Sequence, residues 1–291
     1  MSIQWPLVFF TLFVGLGCGT FVGSVILTEW YGKAKQIRTI SSLIAIVALG
    51  IGGLSSTMHL GHPERMFGAL GHPTSGIFME STMIFLLGLT IIIYLLAVRR
   101  NASDATCKLI GTIGVVLAVA LAFVNGDAYV MAAIPAWNTW ILPLLYVASA
   151  AVMGCFSIGV LLAHTANYDT ATIAETAATT SMIKRAALIT IAIQAVVLVA
   201  YLVHIAIAPY PDVTRSVSRI LVGNLALFFW GGLVLLGLVV PAVLMIKFYT
   251  KNAQGISPHT SITLGLASVL VAGIVFRILM FSLGSSIKQL F

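Results

Sequence analysis

The sequence predicts an all-α integral membrane protein with eight transmembrane helices and both termini outside. Three observations predict it. Apolar runs of about 20 residues recur along the whole chain, the length a helix needs to cross the hydrocarbon core. Hydrophobic residues make up 60% of the 291 and charged residues only 8%, so the short stretches between runs hold too little to build a soluble domain. Lysines and arginines gather in alternate loops, and the positive-inside rule converts that alternation into an orientation.

The spans are read at 7–28, 40–58, 78–98, 109–128, 140–163, 183–207, 222–246 and 262–283. The amino terminus has no basic region, and no small-residue cleavage site follows the first run, which is therefore read as a retained helix. Gly15, Gly17, Gly19 and Gly23 stud that helix at spacings that let a neighbouring backbone approach closely. Lys33, Lys35, Arg38, Arg99, Arg100, Lys108, Lys184, Arg185, Lys247 and Lys251 fall in the first, third, fifth and seventh loops. Arg65, Arg215, Arg219 and Lys288 lie on the opposite side, which puts both termini outside, in the periplasm for a bacterial chain. The fifth loop, 165–182, is rich in Ala and Thr, and its 172–180 stretch is expected to form a short interfacial helix. Pro241 sits near the inner end of the seventh span. With no repeat and no linker, residues 1–291 read as a single polytopic membrane-anchor domain.

The formal charge of +7 follows from the loop bias; it forms no continuous patch and does not point to nucleic acid. Cys18, Cys107 and Cys155 have no CxxC spacing, so neither an iron–sulfur cluster nor a zinc site is expected in this chain. They read as small helix residues.

Polar chemistry at membrane depth is where function is expected. The stretch 57–67, Thr-Met-His-Leu-Gly-His-Pro-Glu-Arg-Met-Phe, closes the second span with His59, His62, Glu64 and Arg65 around the helix breakers Gly61 and Pro63. Glu80 stands one turn into the third span, a costly place for a carboxylate unless it takes up a proton or meets a cation, with Arg65 and Arg277 as candidate partners. Asp127, Tyr129, Trp137, Asn138 and Trp140 fall between the fourth and fifth spans, Tyr201 and His204 near the outer end of the sixth, and Arg277 inside the eighth. Asp127 can also serve as a plain cap, and Trp137 and Trp140 as belt aromatics. His62, His72, His164 and His259 read as loop residues.

The polar groups thus concentrate at the outer rim, as oxidation of a quinol requires. That reaction releases two electrons and two protons, so its site needs an apolar slot, an acceptor for each hydroxyl and a proton exit to water. A neutral imidazole and a carboxylate can provide the acceptors. The chain has no evident electron acceptor, which calls for a partner that carries one.

The segment His59-Leu60-Gly61-His62-Pro63-Glu64-Arg65-Met66-Phe67 resembles the anchor subunits of bacterial dimethyl sulfoxide reductases, whose shared pattern is approximately His-Leu-Gly-x-Pro-x-Arg-x-Phe. The likeness continues through Glu80, the Pro135-Ala136-Trp137 element and the Gly273-to-Arg277 element, and covers essentially the whole chain. The resemblance implies a protein of the bacterial inner membrane that oxidises menaquinol. It would hold a ferredoxin-like iron–sulfur subunit and a molybdopterin catalytic subunit on the bilayer, with no haem, cluster or molybdenum of its own. It ties His59 and Glu80 to quinol oxidation. With Arg65, Asp127, Trp137, His204 and Arg277, these two make up the expected quinol pocket. Two rivals are weighed: a b-type cytochrome anchor with His59 and His204 as haem ligands, and a secondary transporter, which would favour broken helices at the midplane.

Overall fold

The computed structural model describes residues 3–58, 75–165, 173–248 and 258–284. His59, His62, Glu64, Arg65 and His72 lie outside the described residues. Among the described residues, eight helices are long and apolar enough to cross a membrane, and they match the expected spans one for one.

The chain runs α1 (Trp5–Val25), a π-type turn (Ile26–Trp30), a 3-10 turn (Lys35–Ile37), α2 (Arg38–Thr57), α3 (Gly76–Arg99), α4 (Asp104–Asp127), α5 (Ile141–Thr165), α6 (Ile173–Ala206), α7 (Pro211–Leu221), a π-type stretch (Leu227–Val239), α8 (Val240–Phe248) and α9 (Pro258–Leu283). Pro at the first turn opens α1 without losing a needed donor, and Ser75 and Ser103 cap α3 and α4 by accepting from the Phe78 and Thr106 amides at 3.2 Å each. The seventh span joins the π-type stretch to α8, and the register tightens at Val240, one residue before Pro241, whose ring crowds the turn behind it.

One expectation is corrected and one helix was not foreseen. The 172–180 stretch is not a separate interfacial helix, because α6 continues unbroken from Ile173. An unforeseen helix, α7, lies between the sixth and seventh spans; Val213, Ser216 and Ile220 form its buried side, with Thr214, Arg215 and Ser218 exposed. Its polarity hid it from a reading keyed to long apolar runs.

α1 and α5 are the most enclosed spans, while α3, α6 and the seventh span turn most of their surface outward. Large exposed side chains such as Phe85, Val196 and Leu227 suit acyl chains as neighbours. Small residues decide how closely the central pair approaches. A Cβ on Gly19 would run into the Ala150 carbonyl, and one on Gly154 into the Gly19 backbone. Beyond this contact, toward its C-terminal end, α1 uses hydroxyls, with Thr20 donating to Ser157 at 3.0 Å and Ser24 meeting Ser41 at 2.6 Å.

The end of the bundle with Glu29 carries most of the basic residues and one buried ion pair. Glu29 Oε1 accepts from the Tyr94 hydroxyl at 2.6 Å and from Arg38 Nη1 and Thr28 Oγ1 at 3.3 Å each, tying α1, α2 and α3 together. The sequence reading passed over Glu29 because it sits beside the basic loop, where a carboxylate looks solvated. Tyr94 is fully buried, so removing its hydroxyl takes a donor from a charged acceptor. Tyr94→Phe is expected to cost about 1–3 kcal/mol, read as a lower thermal midpoint of the detergent-purified protein. An unchanged midpoint would show that Arg38 and Thr28 suffice to hold Glu29.

Candidate functional site

The opposite end collects the polar residues expected to act. Helices α3 and α4 run antiparallel in close register. A Cβ on Gly76 would lie 3.3 Å from that of Ala128, and one on Gly114 would lie 3.3 Å from Thr90. This register sets Glu80, one turn into α3, level with Val124 and Asn125 of α4. Glu80 Oε1 is shut off from solvent and, among the described residues, has no hydrogen-bond partner. Asn125 Oδ1 is in the same state, while Asn125 Nδ2 donates to the Thr11 carbonyl of α1 at 3.3 Å.

Arg277 of α9 is almost wholly buried and reaches the same carbonyl. Its Nη2 donates to Thr11 O at 2.8 Å, its Nε to Thr11 Oγ1 at 2.5 Å and its Nη1 to Gly273 O at 2.8 Å. The guanidinium carbon lies 5.1 Å from the Tyr146 ring centre and 5.8 Å from that of Phe276, within cation–π range. Glu80 is therefore not the hydrogen-bonding partner of Arg277, whose bonds go to carbonyls and a hydroxyl. The second candidate partner, Arg65, falls outside the described residues.

Between these groups stands an aromatic box. Tyr129, just past the end of α4, stacks on Tyr146 with centroids 6.0 Å apart and meets Trp137 and Phe281 edge-on at 5.7 and 5.9 Å. Burial pushes the Tyr129 hydroxyl well above the ordinary tyrosine range; Tyr146 and the Glu80 carboxylate act in the same direction, and Arg277 opposes them. Tyr129 thus remains a neutral donor. Trp137 is buried, its Nε1 donating to Met280 O at 2.9 Å, and its ring lies over Gly284, where a Cβ would fall 2.6 Å from it. Tyr201 of α6 secures the loop by donating to Ala136 O at 2.8 Å.

The remaining expected residues are placed as follows. Trp140 is 68% exposed and stacks on Phe123, a bilayer-facing position. Asp127 ends α4 and His204 lies in the last turn of α6, at the same end of the bundle but not among the partners of Arg277. At the other end, His164 and His259 are not isolated loop residues: their rings meet edge-to-face at 5.5 Å. Sequence reasoning missed Thr11, Asn125 and Tyr146. Asn125 carried a usable signal, a carboxamide inside an apolar run; Thr11 carried none, since threonine is unremarkable in a membrane helix.

Among the described residues, no three His, Cys, Asp or Glu side chains gather as a metal site would require. A bundle of apolar helices, eight of them among the described residues long enough to cross a bilayer, defines a polytopic membrane protein. The family model for the DMSO reductase anchor subunit (DmsC) matches residues 1–283. The chain belongs to that family, whose members are the membrane anchors of DMSO reductase-type complexes. No curated protein matches it.

Proposed function

We propose that this chain is the quinol-oxidising anchor of a respiratory molybdopterin oxidoreductase in the bacterial inner membrane. Both termini then face the periplasm. The observation that carries the reading is Glu80 Oε1, a buried carboxylate oxygen without a hydrogen-bond partner among the described residues, level with the rim where Tyr129, Trp137 and Tyr146 form an aromatic wall. Menaquinol supplies what that oxygen lacks, a hydroxyl donor on a flat ring suited to an aromatic box.

His59, two residues past the end of α2, accepts the proton of one hydroxyl; Glu80 serves the other proton or orients His59. Both protons leave to the periplasm, and both electrons pass to a ferredoxin-like iron–sulfur subunit docked at the same rim, then to a molybdopterin catalytic subunit. Arg65, Asp127, Trp137, His204 and Arg277 complete the expected pocket. The partner's molybdenum site, not this chain, selects the terminal acceptor.

The test uses membranes that carry the complete complex. Menadiol, a tail-less naphthoquinol, should drive reduction of the complex's terminal acceptor, and a quinol-site inhibitor should abolish that activity while leaving reduction driven by a viologen dye intact. Menadiol activity indifferent to the inhibitor, or absent beside full dye activity, would overturn the reading.

A further inference from the structure

We infer that Asn125 accepts the hydrogen bond of the second quinol hydroxyl, while His59, oriented by Glu80, holds the first. The inference rests on the quinol-oxidising reading above and adds to it a residue that neither the sequence motifs nor the family match assigns.

The geometry of Asn125 fixes which end of its amide is free. The Thr11 carbonyl can only accept, so the amide nitrogen must face it, and the 3.3 Å contact takes that donor. The oxygen is left pointing away, buried, and without a donor among the described residues. An unmet acceptor in a site this dry is costly, and a bound group that brings a donor recovers the loss. Asn125 itself is only 1% exposed.

The α3–α4 register adds the second half of the argument. Glu80 and Asn125 lie at one level on neighbouring helices, each with an oxygen of the same deficit. Two buried acceptors at one level suit a ligand with two donors. A hydroquinone has two; its oxidised quinone has none and would set carbonyl oxygen against carbonyl oxygen. The pair therefore favours the reduced ring and weakens the hold on the product.

The experiment compares Asn125→Leu and Asn125→Asp in the complete membrane complex, with assembly checked by recovery of dye-driven activity. Asn125→Leu should raise the KM for menadiol about tenfold, the scale of one lost neutral hydrogen bond. Asn125→Asp keeps the oxygen but loses the donor to Thr11, and should stay near the wild-type KM. A merely structural tie to Thr11 would instead make both variants fail together. Two naphthols, 2-methyl-1-naphthol and 3-methyl-1-naphthol, each keep one hydroxyl and serve as competitive inhibitors. One of them should bind wild type and Asn125→Leu equally, because it lacks the hydroxyl that Asn125 holds. Should Asn125→Leu fail to accumulate, Asn125→Ala takes its place. An unchanged menadiol KM would mean that the oxygen binds only water, and equal weakening of both naphthols would mean a distorted pocket; either result overturns the inference. Failure of the wild-type complex to oxidise menadiol would instead overturn the parent reading.

Discussion

His59→Ala is expected to lower menadiol-driven turnover of the assembled complex at least about 100-fold, the range over which a positioned base acts. Dye-driven reduction of the terminal acceptor should be unaffected, because the dye feeds the iron–sulfur subunit directly. The expectation combines the sequence and the fold. His59 follows α2, which ends at Thr57, and the next described helix begins at Gly76, at the same end of the bundle as Glu80. In the proposed mechanism the imidazole takes a proton from the quinol and releases it outward. His59→Gln keeps an acceptor but cannot carry the proton away, and should fall with the alanine variant. Near-normal menadiol turnover in His59→Ala would move the proton step to another group.

Much of this architecture was legible in the sequence, for a physical reason. A bilayer core demands a backbone that satisfies itself, so each run of about 20 apolar residues had one available structure. The eight spans follow. Glu80 and Arg277 were legible as well, since a charge in an apolar run is conspicuous. Their relation was not. Arg277 suggested a carboxylate partner, but its hydrogens go to Thr11 and Gly273, and carbonyls at that depth belong to whichever backbone is nearest. No pattern in a single chain announces that α1 and α9 meet at Thr11. Helix α7 and the Glu29–Arg38 pair escaped for the opposite reason, because their residues resemble ordinary loop surface until tertiary contacts bury them.

The second large effect is expected at Arg277. Among the described residues its guanidinium forms no ion pair, yet the side chain is only 1% exposed. Removing a cation from water costs several kcal/mol, and carbonyls and π faces offset this only in part. Stability alone gives little reason to keep it. Arg277→Met fills similar volume with apolar atoms, and the Thr11 hydroxyl retains its own bond to Leu7 O at 2.9 Å. The thermal midpoint of the variant should therefore hold or rise. Turnover should not. At low local dielectric the charge favours departure of a proton from the quinol. Menadiol turnover in Arg277→Met should fall about 100-fold, on the scale of removing one preorganised electrostatic contact. Arg277→Lys, which keeps the charge but not the fork of donors, should recover part of that loss. A merely structural arginine would behave differently, with midpoint and turnover falling together and lysine restoring neither.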